Sequence, residues 1–207
     1  MIKVTDEDIK EIVRQRIKEN PYADLNDLDV SEVTDMSNLF FNKVFKGDVS
    51  RWDTHSVVSM SAMFEMCAFD GDISGWDTSS VIDMSEMFCC CEFNKDISRW
   101  DTSSVMYMRG MFGCCEFNKD ISRWDISSVI DMRGMFSGNK NFNQDISGWV
   151  IDKDCLYYNM FKNSGFMNMF KDGVCDLLPK GMLIDISFGD DYNDIFKQKM
   201  EKIIKTL

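Results

Sequence analysis

The chain has 207 residues and a mass of 24.0 kDa, with 44% hydrophobic and 28% charged residues, a balance typical of a globular protein. Its formal net charge of −12 disfavours nucleic-acid binding and adhesion to anionic lipid, since both need a concentrated positive surface. The sequence contains no apolar run of the length, about 18 residues, that a membrane-spanning helix needs, so membrane insertion is not expected.

Residues 1–21 predict an N-terminal capping helix. Thr5 followed by three acidic residues is typical of a helix start, with the threonine hydroxyl as N-cap. Ile9, Val13 and Ile17 then form one apolar stripe that ends before a proline. The same segment lacks the apolar stretch of a secretory signal, so as written the chain is expected to start in the cytoplasm.

Residues 22–166 contain an internal repeat with a period of 24 residues. A tryptophan and a Met-Phe pair recur together in this period. The tryptophans are Trp52, Trp76, Trp100, Trp124 and Trp149, and the pairs begin at Met63, Met87, Met111, Met135 and Met160. Six copies fit, the first degenerate and the last incomplete. A unit this short cannot bury a core alone, so the period predicts stacked copies in a solenoid.

Each copy predicts the order strand, turn, short helix and return loop. In the copy used as an example, Trp76–Thr78 suits a short strand with alternate side chains inward. Val81, Met84 and Met87 with the following Phe88 have the spacing of one or two helical turns. Stacked copies are then expected to form a short-stranded parallel sheet on one face.

One full period reads Asp72-Ile73-Ser74-x-Trp76-Asp77-Thr78-Ser79-Ser80-Val81, followed by Met84, Met87-Phe88, Cys91 and Phe93. This motif resembles the leucine-rich-repeat-like units of the BspA family of surface proteins, in their 24-residue variety, a domain of unknown function first catalogued in mycoplasmas. The resemblance implies a leucine-rich-repeat-like solenoid of short parallel β-strands plus short helices or turns, with helical N- and C-terminal caps. It also implies binding to other macromolecules, often at a bacterial surface. Related repeats occur in large DNA viruses and protists, which leaves cytoplasm, cell surface and virion open as locations.

Residues 167–207 predict a C-terminal cap, because the repeat fades after Phe166 and Asp191–Leu207 has an amphipathic helical pattern. A lid over the last copy is one interpretation of this segment. Self-association or partner docking through the helix is the other.

The methionines and cysteines also fall into columns. Methionine columns favour Cu(I) in some proteins, but here they neighbour Phe and Val at core positions, which indicates flexible core filling. Cys67, Cys91 and Cys115 share one phase and lack the paired spacing of a zinc site. We expect stacked buried thiols, with disulfides between copies as the alternative. No metal or cofactor is predicted.

The sequence predicts no enzyme. His55 is the single histidine, and serine takes its place in three other copies, so a tolerated surface substitution is expected there. Carboxylates occur as repeated columns, whereas an active site needs an asymmetric cluster of a nucleophile, a base and an orienting group.

The candidate binding residues follow or flank each tryptophan. The aspartates come one residue later and the arginines one residue earlier: Asp53, Asp77, Asp101 and Asp125, with Asp29 in the degenerate copy, and Arg51, Arg99 and Arg123. One interpretation makes each aspartate the acceptor of a repeated Asx-turn. A second makes the set a mixed-charge surface for a protein partner, with arginines pairing across copies, and a third is a Ca²⁺ ladder. Asn94, Asn118 and Asn143 are predicted to bond backbone groups between copies.

These patterns predict a non-enzymatic interaction module that binds a macromolecular partner, with protein the expected class, through its strand face. The alternative is a structural component of a larger particle or envelope, assembled through the two caps.

Overall fold

The computed structural model of the protein describes residues 1–166 and Pro179. The predicted C-terminal cap, with its amphipathic helix, lies outside the described residues apart from that proline.

The N-terminal segment lies against the first copy of the repeat. Strand β1 (Ile2–Lys3) pairs in parallel with strand β2 (Leu28–Asp29), and helix α1 (Ile9–Glu19) lies between them in the chain and buries Ile9, Val13 and Ile17. No helix among the described residues has the length and apolarity needed to cross a membrane.

The start of α1 differs from the prediction. Asp8 stands at the N-cap and makes no side-chain bond to the helix. Its carboxylate instead accepts a hydrogen bond from the backbone N–H of Thr5 at 2.8 Å. The acidic side chain thus fixes the entry of the chain, and the threonine hydroxyl does not cap the helix.

Consecutive copies are joined by a parallel bridge at one position of the repeat, and the first two copies are joined by a second bridge, between Asp24 and Asp48. The bridged residues are, in order, Asp35, Ser59, Asp83, Tyr107, Asp131 and Leu156. Each bridge connects equivalent residues one period apart, so every copy lies directly on its neighbour. The bridge falls at Asp83 in the example copy, not at the strand predicted over Trp76–Thr78.

The segment predicted as a short helix follows a different backbone path. The amides of residues 84, 86, 88 and 90 donate to carbonyls of residues 107, 109, 111 and 113 in the next copy, at 2.7–3.0 Å. The amides of residues 87, 89 and 91 donate three residues back, which closes turns. An α-helix would direct each amide four residues back, so it has no bonds to offer a neighbouring copy.

This alternation requires left-handed backbone at two positions of each copy. Glu86 and Cys90 have φ of 58° and 54°, and their equivalents in other copies are also positive. Seven of these twelve positions carry glycine or asparagine, the residues that adopt positive φ most readily: Asn38, Asn42, Gly110, Gly134, Gly138, Asn159 and Asn163.

The core consists of rows of identical side chains that run along the stack. Two rows of phenylalanine and one of tryptophan are buried: Phe40, Phe64, Phe88, Phe112, Phe136 and Phe161; Phe45, Phe69, Phe93, Phe117, Phe142 and Phe166; and Trp52, Trp76, Trp100, Trp124 and Trp149. Ring centroids of Phe64 and Phe88 are 5.8 Å apart and their planes differ by 2°. The methionine columns fill the same core, as predicted.

Polar groups inside the stack bond to the adjoining copy. The indole N–H of Trp76 donates to the carbonyl of Val49 at 3.0 Å, and the Thr78 hydroxyl donates to the carbonyl of Asp101 at 2.9 Å. The predicted asparagine ladder is confirmed, because the backbone N–H of Asn118 donates to Asn94 Oδ1 at 3.0 Å. Each copy therefore satisfies buried backbone groups of the copy before or after it.

Replacing Phe88 by alanine should cost about 3–5 kcal/mol, because it removes a fully buried ring that contacts rings in both neighbouring copies. Urea unfolding followed by tryptophan fluorescence measures this loss. Ile82→Ala in the same copy is the control; its side chain is 38% exposed, and its replacement should cost only about 1 kcal/mol. An equal loss of unfolding free energy in the two variants would contradict the claim that the buried phenylalanine rows stabilise the stack.

Candidate interaction surface

The predicted aspartate column is exposed except at the half-buried Asp29, and its carboxylates are held in Asx-turns. Asp77 Oδ1 accepts from the backbone N–H of Ser79 at 3.0 Å and from its hydroxyl at 2.6 Å. Asp101 has the same two bonds from Ser103, at 3.0 and 2.6 Å. Every member makes an Asx-turn contact of this kind: Asp29, Asp53, Asp77, Asp101 and Asp125. The turn fixes each carboxylate while leaving it open to solvent.

These hydrogen bonds outweigh the repulsion between stacked carboxylates. The Ser103 hydroxyl and amide hold the pKa of Asp101 below its usual value, although the neighbouring charges of Asp77 and Asp125 push it upward. The hydrogen bond from the Ser79 hydroxyl is likewise the largest cause of the lowered pKa of Asp77. Asp77 and Asp101 are therefore ionised at neutral pH.

A second aspartate column, not singled out from the sequence, runs beside the first. Its members are Asp48, Asp72, Asp96, Asp120 and Asp145, and each accepts from the backbone N–H of the serine two residues later. The signal was present in the sequence, because Asp-x-Ser recurs once per period at this phase.

The three candidate arginines are exposed but do not pair with the column that was predicted. Arg51 lies 3.7 Å from Asp24, which is bridged to Asp48 at the head of the second column. The charges of Arg99 and Arg123 act on Asp96 and Asp120 of that column. Neither of these two arginines makes an ion pair within the described part of the chain. The structure therefore groups the arginines with the second column, which corrects the expected pairing with Asp53, Asp77, Asp101 and Asp125.

A cleft opens where the arginine column is interrupted. Gly75 occupies the arginine position in its copy, and no atom lies within 4 Å of the place its Cβ would take. The cleft has a volume of about 620 Å³ and is lined by Asp72, Ser74, Gly75, Lys95, Asp96 and Arg99. Its wall is mixed in charge, which suits polar contact with another molecule more than enclosure of an apolar ligand.

His55 has neighbours that the sequence analysis did not expect. Its Nδ1 lies 2.8 Å from Asp53 Oδ1, and its Nε2 lies 3.0 Å from the Ser56 hydroxyl. The histidine and aspartate side chains are 55% and 61% exposed, so nothing there removes water from the three groups. This open arrangement lacks the water exclusion on which strong electrostatic catalysis depends.

The cysteine column lies in the core, as expected. Cys67, Cys91 and Cys115 are buried free thiols, and each Sγ donates to a carbonyl of the preceding copy. Burial raises the pKa of Cys67 to about 11 and that of Cys115 to about 12, so both remain protonated. Residues 1–166 hold no group of three or more His, Cys, Asp or Glu side chains arranged to bind a metal ion.

Comparison with known proteins identifies one family. The model for "Mycoplasma protein of unknown function, DUF285" matches residues 7–116 and 68–172, which together span most of the chain. The two matches overlap, as expected when a repetitive sequence aligns in more than one register. No curated protein and no solved structure matches significantly.

Acidification should destabilise the protein, because six aspartates of the two columns have folded-state pKa values lowered from 3.8 by their serine partners: Asp72, Asp77, Asp96, Asp101, Asp120 and Asp125. A depressed pKa gives stability that is fully present above the unfolded value and is lost as pH falls through the folded value. Thermal unfolding between about pH 6 and about pH 2 should therefore show a falling Tm once the pH drops below about 4. A rising Tm would mean that repulsion between the carboxylates dominates instead.

Proposed function

The chain belongs to the family of mycoplasma proteins of unknown function, DUF285, and we propose that it is a non-enzymatic interaction module that binds a protein partner through its exposed charged columns. We propose further that its copies form a leucine-rich-repeat-like solenoid of the BspA type. The residues assigned to partner contact are Arg51, Asp53, Asp77, Arg99, Asp101, Arg123 and Asp125.

The observation that supports this function is the repetition of one fixed, solvent-exposed charge per copy. Asp77 and Asp101 stand on successive copies in the same Asx-turn, with the same hydrogen bonds. Such a row presents one charge per copy, and the hydrogen bonds that hold each carboxylate reduce the side-chain entropy that is lost when a partner binds. A rigid array of this kind favours specific contact with a large partner over chemistry at one point.

The arginines add the opposite sign to the same region. Arg99 and Arg123 have no ion pair in the described residues, so their guanidinium donors are available to a partner's carboxylates. Arginine is well suited to this contact because its planar group donates two parallel hydrogen bonds.

Reversing the arginines tests the proposal. Arg51→Glu, Arg99→Glu and Arg123→Glu, combined in one bait, should weaken capture of a stoichiometric protein from lysate of the source organism at least tenfold. The reason is that the variant replaces donors by like charges beside the aspartates. Tm should change little, because all three side chains are exposed.

The matched control makes the same change in net charge at exposed lysines elsewhere: Lys18→Glu, Lys43→Glu and Lys153→Glu. This bait should retain the partner as the unaltered chain does. Equal retention by the arginine variant would refute the assigned residues, and equal loss with the control would show that only net charge matters.

A further inference from the structure

An apolar stripe runs along the outside of the stack, next to the bridged positions. It is formed by the residue that precedes each bridge, or by the bridged residue itself in the last copy: Val58, Ile82, Met106, Ile130 and Leu156. The exposed fractions are 40% for Val58, 38% for Ile82, 43% for Ile130 and 47% for Leu156. Tyr107, at a bridged position beside the stripe, is 38% exposed.

Packing of the core does not explain why these outward positions carry apolar side chains. In the example copy, Val81 and Met84 point inward and are fully buried, whereas Ile82 between them faces solvent. A polar residue at the outward position would remove this contact of apolar surface with water, as Thr34 does in the first copy. The five later copies all carry an apolar residue there. Contiguous exposed apolar surface of this kind marks contact with another molecule.

The uncompensated charge next to the stripe is negative. Arg109 and Arg133 flank it, but each is neutralised, by Glu86 at 2.8 Å and by Asp131 at 2.6 Å. Asp83, beside Ile82, has no ion pair within residues 1–166. The aspartate column that includes Asp77 and Asp101 is separated from the stripe by one turn of the chain. Within residues 1–166, no lysine or arginine forms an ion pair with a member of this column.

We propose that this stripe, as part of the interaction function proposed above, binds a segment of another protein that combines aliphatic side chains with lysine or arginine. Aliphatic groups would cover Ile82, Met106 and Ile130, and the cations would meet the carboxylates beside them. A second copy of this chain fits poorly, because it would bring its own acidic columns against these and its own net charge of −12.

Three synthetic 12-residue peptides test separately whether binding requires aliphatic side chains and whether it requires cations. One alternates isoleucine and lysine, the second alternates isoleucine and glutamate, and the third alternates serine and lysine. Fluorescence polarisation with the full chain should detect saturable binding of the isoleucine–lysine peptide, at least tenfold tighter than that of either other peptide. Equal binding of the serine–lysine peptide, or no binding of the isoleucine–lysine peptide, would overturn the proposal.

Two double variants test whether the isoleucine–lysine peptide binds at the stripe. Ile82→Lys with Ile130→Lys should weaken binding of the isoleucine–lysine peptide at least tenfold, because it removes apolar contact and adds like charge. Asp77→Asn with Asp101→Asn should weaken it less, since asparagine keeps the Asx-turn acceptor and loses only the charge.

The control is Val44→Lys with Met66→Lys, two side chains that are 66% and 51% exposed away from the stripe. Binding by this variant should match that of the unaltered chain, and thermal unfolding of all variants checks that they fold. Equal weakening by the control would overturn the placement. Sedimentation of the unaltered chain as a dimer, lost in the stripe variant, would overturn the choice of occupant. If the stripe variants bind unchanged while the arginine variant loses its partner, the proposed function stands and this inference fails.

Discussion

The structure depends on backbone hydrogen bonds that join each copy to the next at a fixed register. Amides of Met84, Glu86 and Phe88 donate to the following copy, while the amides between them close turns within their own copy. Equivalent residues of successive copies are thereby placed next to one another. Burial of the phenylalanine and tryptophan rows follows from this register, since one buried ring places every equivalent ring against another.

The same register forces like charges together at the surface. The negative charges of Asp77 and Asp125 on the neighbouring copies act to raise the pKa of Asp101. The residue two places after each aspartate, a serine in every copy except at His55, offsets this cost by donating its backbone N–H. Ser31, Ser79 and Ser103 also donate a hydroxyl. Local hydrogen bonding thus makes a charged column compatible with stacking, and Asp77 and Asp101 stay ionised where a partner can reach them.

Much of the core could be predicted from the sequence, because periodicity reports burial directly: Trp76, Met87 and Phe88 are all buried where the period places them. The path of the backbone could not be predicted from the sequence. The spacing from Val81 to Phe88 is shared by a helix and by successive tight turns, and the deciding bonds run to another copy. Glycine and asparagine at the positive-φ positions, such as Gly110 and Asn38, were the available signal. The pairing of Arg51 with Asp24 could not be predicted either, since it depends on which way an exposed side chain leans.

Deletion of one whole copy tests the register most directly. Removing residues 95–118 joins Asn94 to Lys119, equivalent to Lys95, and takes out 24 residues. If each copy contacts only its neighbours, the shortened chain should fold and unfold cooperatively with somewhat lower stability, as near-ultraviolet circular dichroism and urea unfolding would show. Removing residues 95–106 should abolish the folded signal, because half a period breaks every row. Equal damage from both deletions, or an unfolded chain after loss of the whole copy, would contradict the account.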